Sequence, residues 1–318
     1  MKKWTLFIML FVMAAVFAAC GSKETSQSGE KEKNEPEKQA EEVTITHEYG
    51  DATVKKNPEK IVVFDFGVLD TLDELGINVT GLPQATLPAY LEKYAGDDYT
   101  NVGSLKEPDF EAINELKPDV IFISGRQADL YDQFAEIAPT VYIGVDTNRY
   151  MESFEENMNI IGEIFGKEDQ VKAELEEVEK QIAGVNEKAE SMDKKALIVL
   201  ANEGKVSAYG SKSRFGWIHD VLGFKAADEN IEVSTHGQGI SFEYILETNP
   251  DILFVIDRGA AVEEDAEPAK AAIENDLVKK TTAYKDGKIL YLDADYWYLS
   301  GGGLQSIKAM IKSVEEAY

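Results

Sequence analysis

A stretch of 18 residues occurs twice. "DFEAINELKPDVIFISGR" (109–126) aligns without a gap to "SFEYILETNPDILFVIDR" (241–258), offset by 132 residues and with eight identities. Each copy reads as a short helix, a Pro-Asp step, an apolar strand and a terminal arginine. Common helix–strand grammar produces the Pro-Asp step and the apolar run, but not the same final residue. Arginine is scarce: the chain has 28 lysines and only four arginines, at 126, 149, 214 and 258. The repeat therefore predicts two similar halves, and 318 residues suffice for two lobes with sizeable cores.

The surrounding pattern is α/β. "VTITHEYGDATVKK" reads as a hairpin turning near Gly50-Asp51 and "KIVVFDF" as a buried strand. "VLDTLDELG" follows as a short helix closed by Gly76. "PDVIFISGR", helical "ADLYDQFAEI" and "TVYIGVD" continue the alternation, which predicts a parallel sheet covered on both faces. Met151, Phe154, Met158, Ile161 and Phe165 recur at helical spacing, capped by Asp146 or Thr147 and ended by Gly166. That helix, about 25 Å long at 1.5 Å per residue, can bridge two lobes. A second amphipathic helix follows, marked by Val171, Leu175, Val178, Ile182 and Val185. The fold class expected is two doubly wound α/β lobes, 43–146 and 167–318, joined by a long rigid connecting helix over 147–166.

The first 42 residues are of another kind. "MKKWTLFIMLFVMAAVFAAC" has Lys2 and Lys3, an apolar stretch from Leu6 to Ala19, and then Cys20. The stretch is short for a bilayer span and has the anatomy of an export signal over 1–19. Cys20 is the single cysteine, so an intrachain disulfide is impossible. Its place after Ala18-Ala19 resembles the lipidation motif of bacterial lipoproteins, with Phe17 where that motif usually has leucine. The alternative is an ordinary cleaved signal beside an idle thiol. Residues 20–42 are polar, almost without large apolar side chains, and read as a flexible tether.

Charge narrows the partners. With 32 basic and 59 acidic residues the net charge is −27, which argues against nucleic acid, whose phosphates need a basic face. Against that background Arg126 and Arg258 sit at strand ends, where open α/β sheets line their ligand crevice. Arg214, in "VSAYGSKSRFGW", lies between a strand and the helix "WIHDVLG". The three are expected to converge on the cleft between the lobes. Permanently charged planar forks there suit an oxygen-rich, multiply charged anion. The alternative is that each arginine only neutralises a nearby carboxylate. "YLDADYWYLSGGG" sets Tyr296, Trp297 and Tyr298 between a strand and the last helix. Their faces can stack on flat rings or simply pack in the core, and the glycines that follow allow close backbone approach to a ligand. His236, in "STHGQG", reads as a loop residue; His47 and His219 read as structural.

"FDFGVLDTLDELG", "VGSLKEPDFEAINELKPD", "SKSRFGWIHDVLG" and "YWYLSGGG" together resemble the iron–siderophore branch of the bacterial substrate-binding proteins that feed ABC importers. The likeness is strongest to Gram-positive lipoproteins for petrobactin and related catecholate siderophores. It covers nearly all of the chain from Val43. The resemblance implies binding of a ferric siderophore by three cleft arginines, here Arg126, Arg214 and Arg258. It implies that His236 and Tyr298 approach iron when the chelator leaves positions open. It further implies that Glu111 and Glu243, equivalent in the two copies, dock on a permease, and that the protein is monomeric on the outer face of the cell membrane. No enzymatic cofactor and no bare-metal site are expected, because three scattered histidines offer no ligand cluster. Haem or a corrinoid is the alternative cargo. A surface hydrolase is the remote alternative, since no Gly-x-Ser-x-Gly elbow or phosphate-binding loop is present.

Overall fold

The computed structural model describes residues 41–234, 236–262 and 269–318. The export signal, Cys20 and the tether up to residue 40 lie outside the described residues.

A hairpin, β1 (Glu42–His47) and β2 (Gly50–Lys55), precedes the first half. That half contains β3 (Ile61–Val63), α1 (Phe66–Glu74), β4 (Gly81–Leu82), β5 (Thr100–Asn101) and α2 (Phe110–Leu116). It continues with β6 (Val120–Ile123), α3 (Tyr131–Ala135) and β7 (Thr140–Tyr142). Its five strands are all parallel, in the order β5-β4-β3-β6-β7. Two helices follow, α4 (Tyr150–Phe165) and α5 (Glu168–Met192).

The second half begins with β8 (Lys195–Asn202), β9 (Lys205–Tyr209), α6 (Trp217–Asp220), β10 (Lys225–Ala226) and β11 (Gln238–Ile240). Next come α7 (Phe242–Thr248), β12 (Ile252–Asp257), α8 (Arg258–Val262) and α9 (Ala269–Ile273). α10 (Thr282–Lys285), β13 (Ile289–Leu292) and α11 (Leu304–Ser313) complete it. The sheet order is β11-β9-β8-β12-β13, with β10 alongside β8. This sheet is mixed, which corrects the expectation of purely parallel pairing: β9 runs antiparallel to both β8 and β11. The reason is local. Glu203 and Gly204 both have positive φ, 50° and 75°, the conformation of a two-residue hairpin turn, and Asn202 pairs with Lys205 across it.

Strand periodicity explains where the core sits. Along β6, Val120 and Phe122 face one cluster and Ile121 and Ile123 another; along β12, Ile252, Phe254 and Ile256 alternate in the same way with Leu253 and Val255. The inner faces of both sheets enter a single core that also holds Phe154 and Met158 of α4, Val178 of α5 and Leu304 and Ile307 of α11. The two halves therefore share one hydrophobic interior, closed by several helices rather than by α4 alone.

The last helix crosses back onto α1. Fully buried Asp70 accepts hydrogen bonds from the backbone amides of Gln305 (3.2 Å) and Ser306 (3.1 Å) and from the Tyr90 hydroxyl (3.0 Å). Burial pushes its carboxyl up to about 7, against the pull of Ser306 and Tyr90. A Cβ at Gly303 would collide with Asp70 and the Gly67 backbone, and one at Gly67 would come within 2.8 Å of the Ser300 carbonyl. Gly303 thus serves helix-to-helix approach, not approach to a ligand.

Candidate functional site

The strand ends deliver the charged residues. Arg126 follows β6 in a short 3-10 turn (Gly125–Leu130), Arg258 opens α8 directly after β12, and Arg214 sits on the loop between β9 and α6. Between them runs a π-helical turn, Asp295–Ser300, closed by the Gly301 amide donating to the Tyr296 carbonyl at 2.8 Å. Carbonyls in the last turn of a helix lack intrahelical donors and carry its negative pole. The Tyr298 carbonyl is such a group. It accepts from Arg126 Nη2 at 2.8 Å and from Arg214 Nη2 at 2.6 Å, while the Leu299 carbonyl accepts from Arg126 Nη1 at 3.4 Å. The Tyr298 hydroxyl accepts from Arg258 Nε at 3.0 Å, and Arg258 Nη1 donates to Asn202 Oδ1 at 2.7 Å. The Arg214 guanidinium also lies 4.2 Å from the centroid of the Tyr298 ring.

Three of the four arginines thus meet at one tyrosine. Among the described residues none of the three lies within 4.0 Å of a carboxylate; Arg149, by contrast, pairs with Asp146 (3.3 Å), Glu152 (2.9 Å) and Glu156 (2.8 Å). The electrostatic cost is visible in the site. Burial, then the charge of Arg126, lowers the Arg214 pKa from its ordinary value. Burial pushes the Tyr298 phenol up, but the Arg258 hydrogen bond and the charges of Arg214 and Arg258 outweigh it and leave the phenol below its usual range.

The space beside them is a cleft of about 570 Å³, within the usual range for small-molecule sites. Asp65, Ser124 to Arg126 and Tyr142 line it from the first half and Tyr150 from the start of α4; Lys212 to Phe215, Trp217, Val233, Ser234 and residues 297–301 line it from the second half. Arg126, Arg214, Trp297 and Tyr298 are therefore brought together on the wall. Arg258 stands behind, touching the cleft only through Tyr298. His236 is exposed and does not line the cleft, although Val233 and Ser234 of its loop do. Trp297 is 3% exposed; its indole donates to Ser313 Oγ at 3.1 Å, and it ends a stack with Trp217 (5.4 Å) and Tyr150 (5.1 Å from Trp217). Tyr296 packs on Tyr90, with centroids 4.4 Å apart. His219 is held by the Phe224 carbonyl and His47 by that of Thr140.

Asp65, Tyr142 and Lys212 were not anticipated as lining residues. Asp65 and Tyr142 lie at strand ends, so the rule that selected Arg126 could have found them. Glu111 and Glu243 are both exposed second residues of their helices, α2 and α7. Each helix runs back against the strands it connects, so both acids lie at the edge of the sheet where the strands end. No group of three or more histidine, cysteine or acidic side chains suited to a metal ion occurs among the described residues.

Two α/β halves sharing one core, with a polar cleft at their strand ends, define a solute-binding protein. The sequence profile of the periplasmic binding protein family (Peripla_BP_2) matches residues 61–296, and the chain belongs to that family. Its members are solute-binding proteins, and this chain is one rather than an enzyme. It is 52% identical to petrobactin-binding protein YclQ of Bacillus subtilis, over 99% of each chain. The crystal structure of YclQ superposes with a TM-score of 0.85, covering 87% of this chain and 98% of that one, at 54% identity. The catecholate-siderophore binding protein VctP of Vibrio cholerae superposes at 0.83 with 36% identity, covering 87% and 100%. Ferric-anguibactin-binding protein FatB of Vibrio anguillarum is 32% identical over 87% of each chain.

Proposed function

We propose that this protein is the extracytoplasmic binding component of an ABC importer and captures an anionic ferric siderophore of the catecholate type, petrobactin-like, for iron uptake. The siderophore supplies the iron ligands; the protein supplies charge, ring faces and a pre-shaped cleft. Arg126 and Arg214 hold the anion directly, Arg258 and Tyr298 set their positions, and Trp297 forms the cleft floor. Tyr298 on the cleft wall, and His236 on the loop whose Val233 and Ser234 line the cleft, are reserved for complexes that leave iron positions open. The observation that carries this reading is a trio of guanidiniums with no carboxylate partner among the described residues, in a chain of net charge −27. Relatives named for binding petrobactin and catecholate siderophores support the same cargo.

The finer assignments belong to the same reading. Lipidated Cys20 and the tether to residue 42 hold a monomeric body at the outer face of the membrane. Lobes 43–146 and 167–318 meet around the 147–166 helix. Glu111 and Glu243 present matched negative knobs to basic residues of a permease.

Two tryptophans, Trp217 and Trp297, follow the export signal, and both line the cleft. Their fluorescence therefore reports on occupancy. Titration is expected to show tight, saturable quenching by ferric petrobactin or another ferric catecholate and weak binding of a neutral ferric hydroxamate. A preference for the hydroxamate, or for haem, would contradict the proposal. Neutralising Glu111 and Glu243 together is expected to slow uptake into cells severalfold at saturating chelate.

A further inference from the structure

Among the described residues, one acidic group lines this cationic cleft. Asp65 follows β3, caps the N-terminus of α1 and lines the cavity beside Arg126. Its Oδ1 accepts from the amides of Gly67 (2.8 Å) and Val68 (3.0 Å). No cationic side chain among the described residues lies within 4.0 Å of it. Capping does not explain the charge, because asparagine and serine cap as well as aspartate. A carboxylate here repels the very anion that Arg126 and Arg214 attract, at short range and in a partly desolvated site. Burial raises its pKa above the ordinary carboxylate value, against the Ser124 hydroxyl, the charge of Arg126 and the two amides, which favour the charged form.

Resting on the reading given under Proposed function, we propose that Asp65 is a specificity residue for a protonated amine or other hydrogen-bond donor carried on the siderophore's linker. The arginines then hold the metal-chelating, negatively charged end of the ligand, and Asp65 accepts from its linker. The cleft on this account is bipolar, and it selects a chelate that is anionic at one end and cationic along its backbone over one that is anionic throughout.

A matched pair of synthetic ferric bis-catecholates tests this, one with a protonated secondary amine in the linker and one with a methylene at the same position. Tryptophan quenching gives both affinities for the wild-type protein, Asp65→Asn and Asp65→Ser. Both variants keep a capping oxygen, so helix α1 retains its start. The wild type is expected to prefer the amine chelate. In either variant that preference should fall about tenfold or more, the scale of one desolvated charge pair, through weaker binding of the amine chelate and equal or tighter binding of the methylene one. If both affinities rise or fall together, the preference is unchanged and Asp65 serves only to balance Arg126; the inference is then overturned while the cargo assignment stands. If the wild type binds neither chelate, the cargo assignment itself has failed.

Discussion

In the first half, Asp119 donates its own amide to the Lys60 carbonyl (2.8 Å) and accepts from the amides of Glu59 and Lys60, both at 2.9 Å. In the second, Asp251 donates to the Lys195 carbonyl (2.8 Å) and accepts from the Lys195 amide at 2.9 Å. The Pro-Asp step of each repeat is therefore a clamp that starts one strand in register with its parallel neighbour, β6 on β3 and β12 on β8. The helices before the two clamps also end alike, in a left-handed residue, Lys117 at φ 50° and Asn249 at φ 45°. The copies part company at the arginine. Ser124 and Gly125 have already left the β6 strand when Arg126 turns into the cleft. β12 runs on through Asp257, so Arg258 emerges later and meets Asn202 and the Tyr298 hydroxyl instead. Repetition places an arginine after each strand, and the length of the strand decides whether it lines the cleft or stands behind Tyr298.

That contrast can be broken by substitution. Arg126→Ala or Arg214→Ala removes a cleft cation directly. Truncating one member of a buried, hydrogen-bonded charge pair costs about 2–5 kcal/mol, so affinity for a ferric catecholate should fall at least ~30-fold. Arg258→Ala, its twin at one remove, should cost less than about tenfold, because the Tyr298 backbone still presents its carbonyl. Equal losses at 126 and 258 in the same titration would erase the distinction.

The clamps sharpen it further. Asp119 has two amide partners and Asp251 has one, so Asp119→Ala should destabilise by about 1–2 kcal/mol and Asp251→Ala by roughly half that, read from urea midpoints. Partial burial pushes the Asp119 carboxyl up, but the Lys60 and Glu59 amides and nearby lysines outweigh it and hold the group below its ordinary value. A depressed carboxyl contributes stability that is complete above the ordinary carboxylate range and is lost as pH falls through its own lower value. The gap between wild type and Asp119→Ala should therefore close in acid. The smallest effect lies at the helix ends. Lysine in the left-handed region is strained where asparagine is tolerated, so Lys117→Asn should stabilise by about 0.5–1 kcal/mol, and Asn249→Lys should cost at least as much, because it also removes the acceptor of the Thr282 amide (2.8 Å).

Much of this architecture can be read from the sequence because burial leaves a trace there. β6 and β12 are apolar on both faces and read as unbroken runs, and the stripe from Met151 to Phe165 has one period and one face. The arginines were legible because they are few and stand at strand ends. What joins them was not. The Tyr298 group that receives Arg126 and Arg214 is a backbone carbonyl, freed by a π-helical turn, and backbone acceptors have no letter in a sequence. The glycines after it were legible as permissive residues, yet Gly303 exists to let α11 lie on α1 and Asp70, a contact between segments more than 230 residues apart. His236 was placed by its loop, and a loop assignment does not give the direction of a side chain.

A crystal structure of the protein with a bound ferric catecholate would show whether the paired guanidiniums hold the ligand. The chelate is expected in the cleft between the halves, with the guanidiniums of both Arg126 and Arg214 within hydrogen-bond distance of its oxygens. A chelate bound elsewhere, or one lying in the cleft while both guanidiniums stay wholly engaged with the Tyr298 carbonyl, would contradict it.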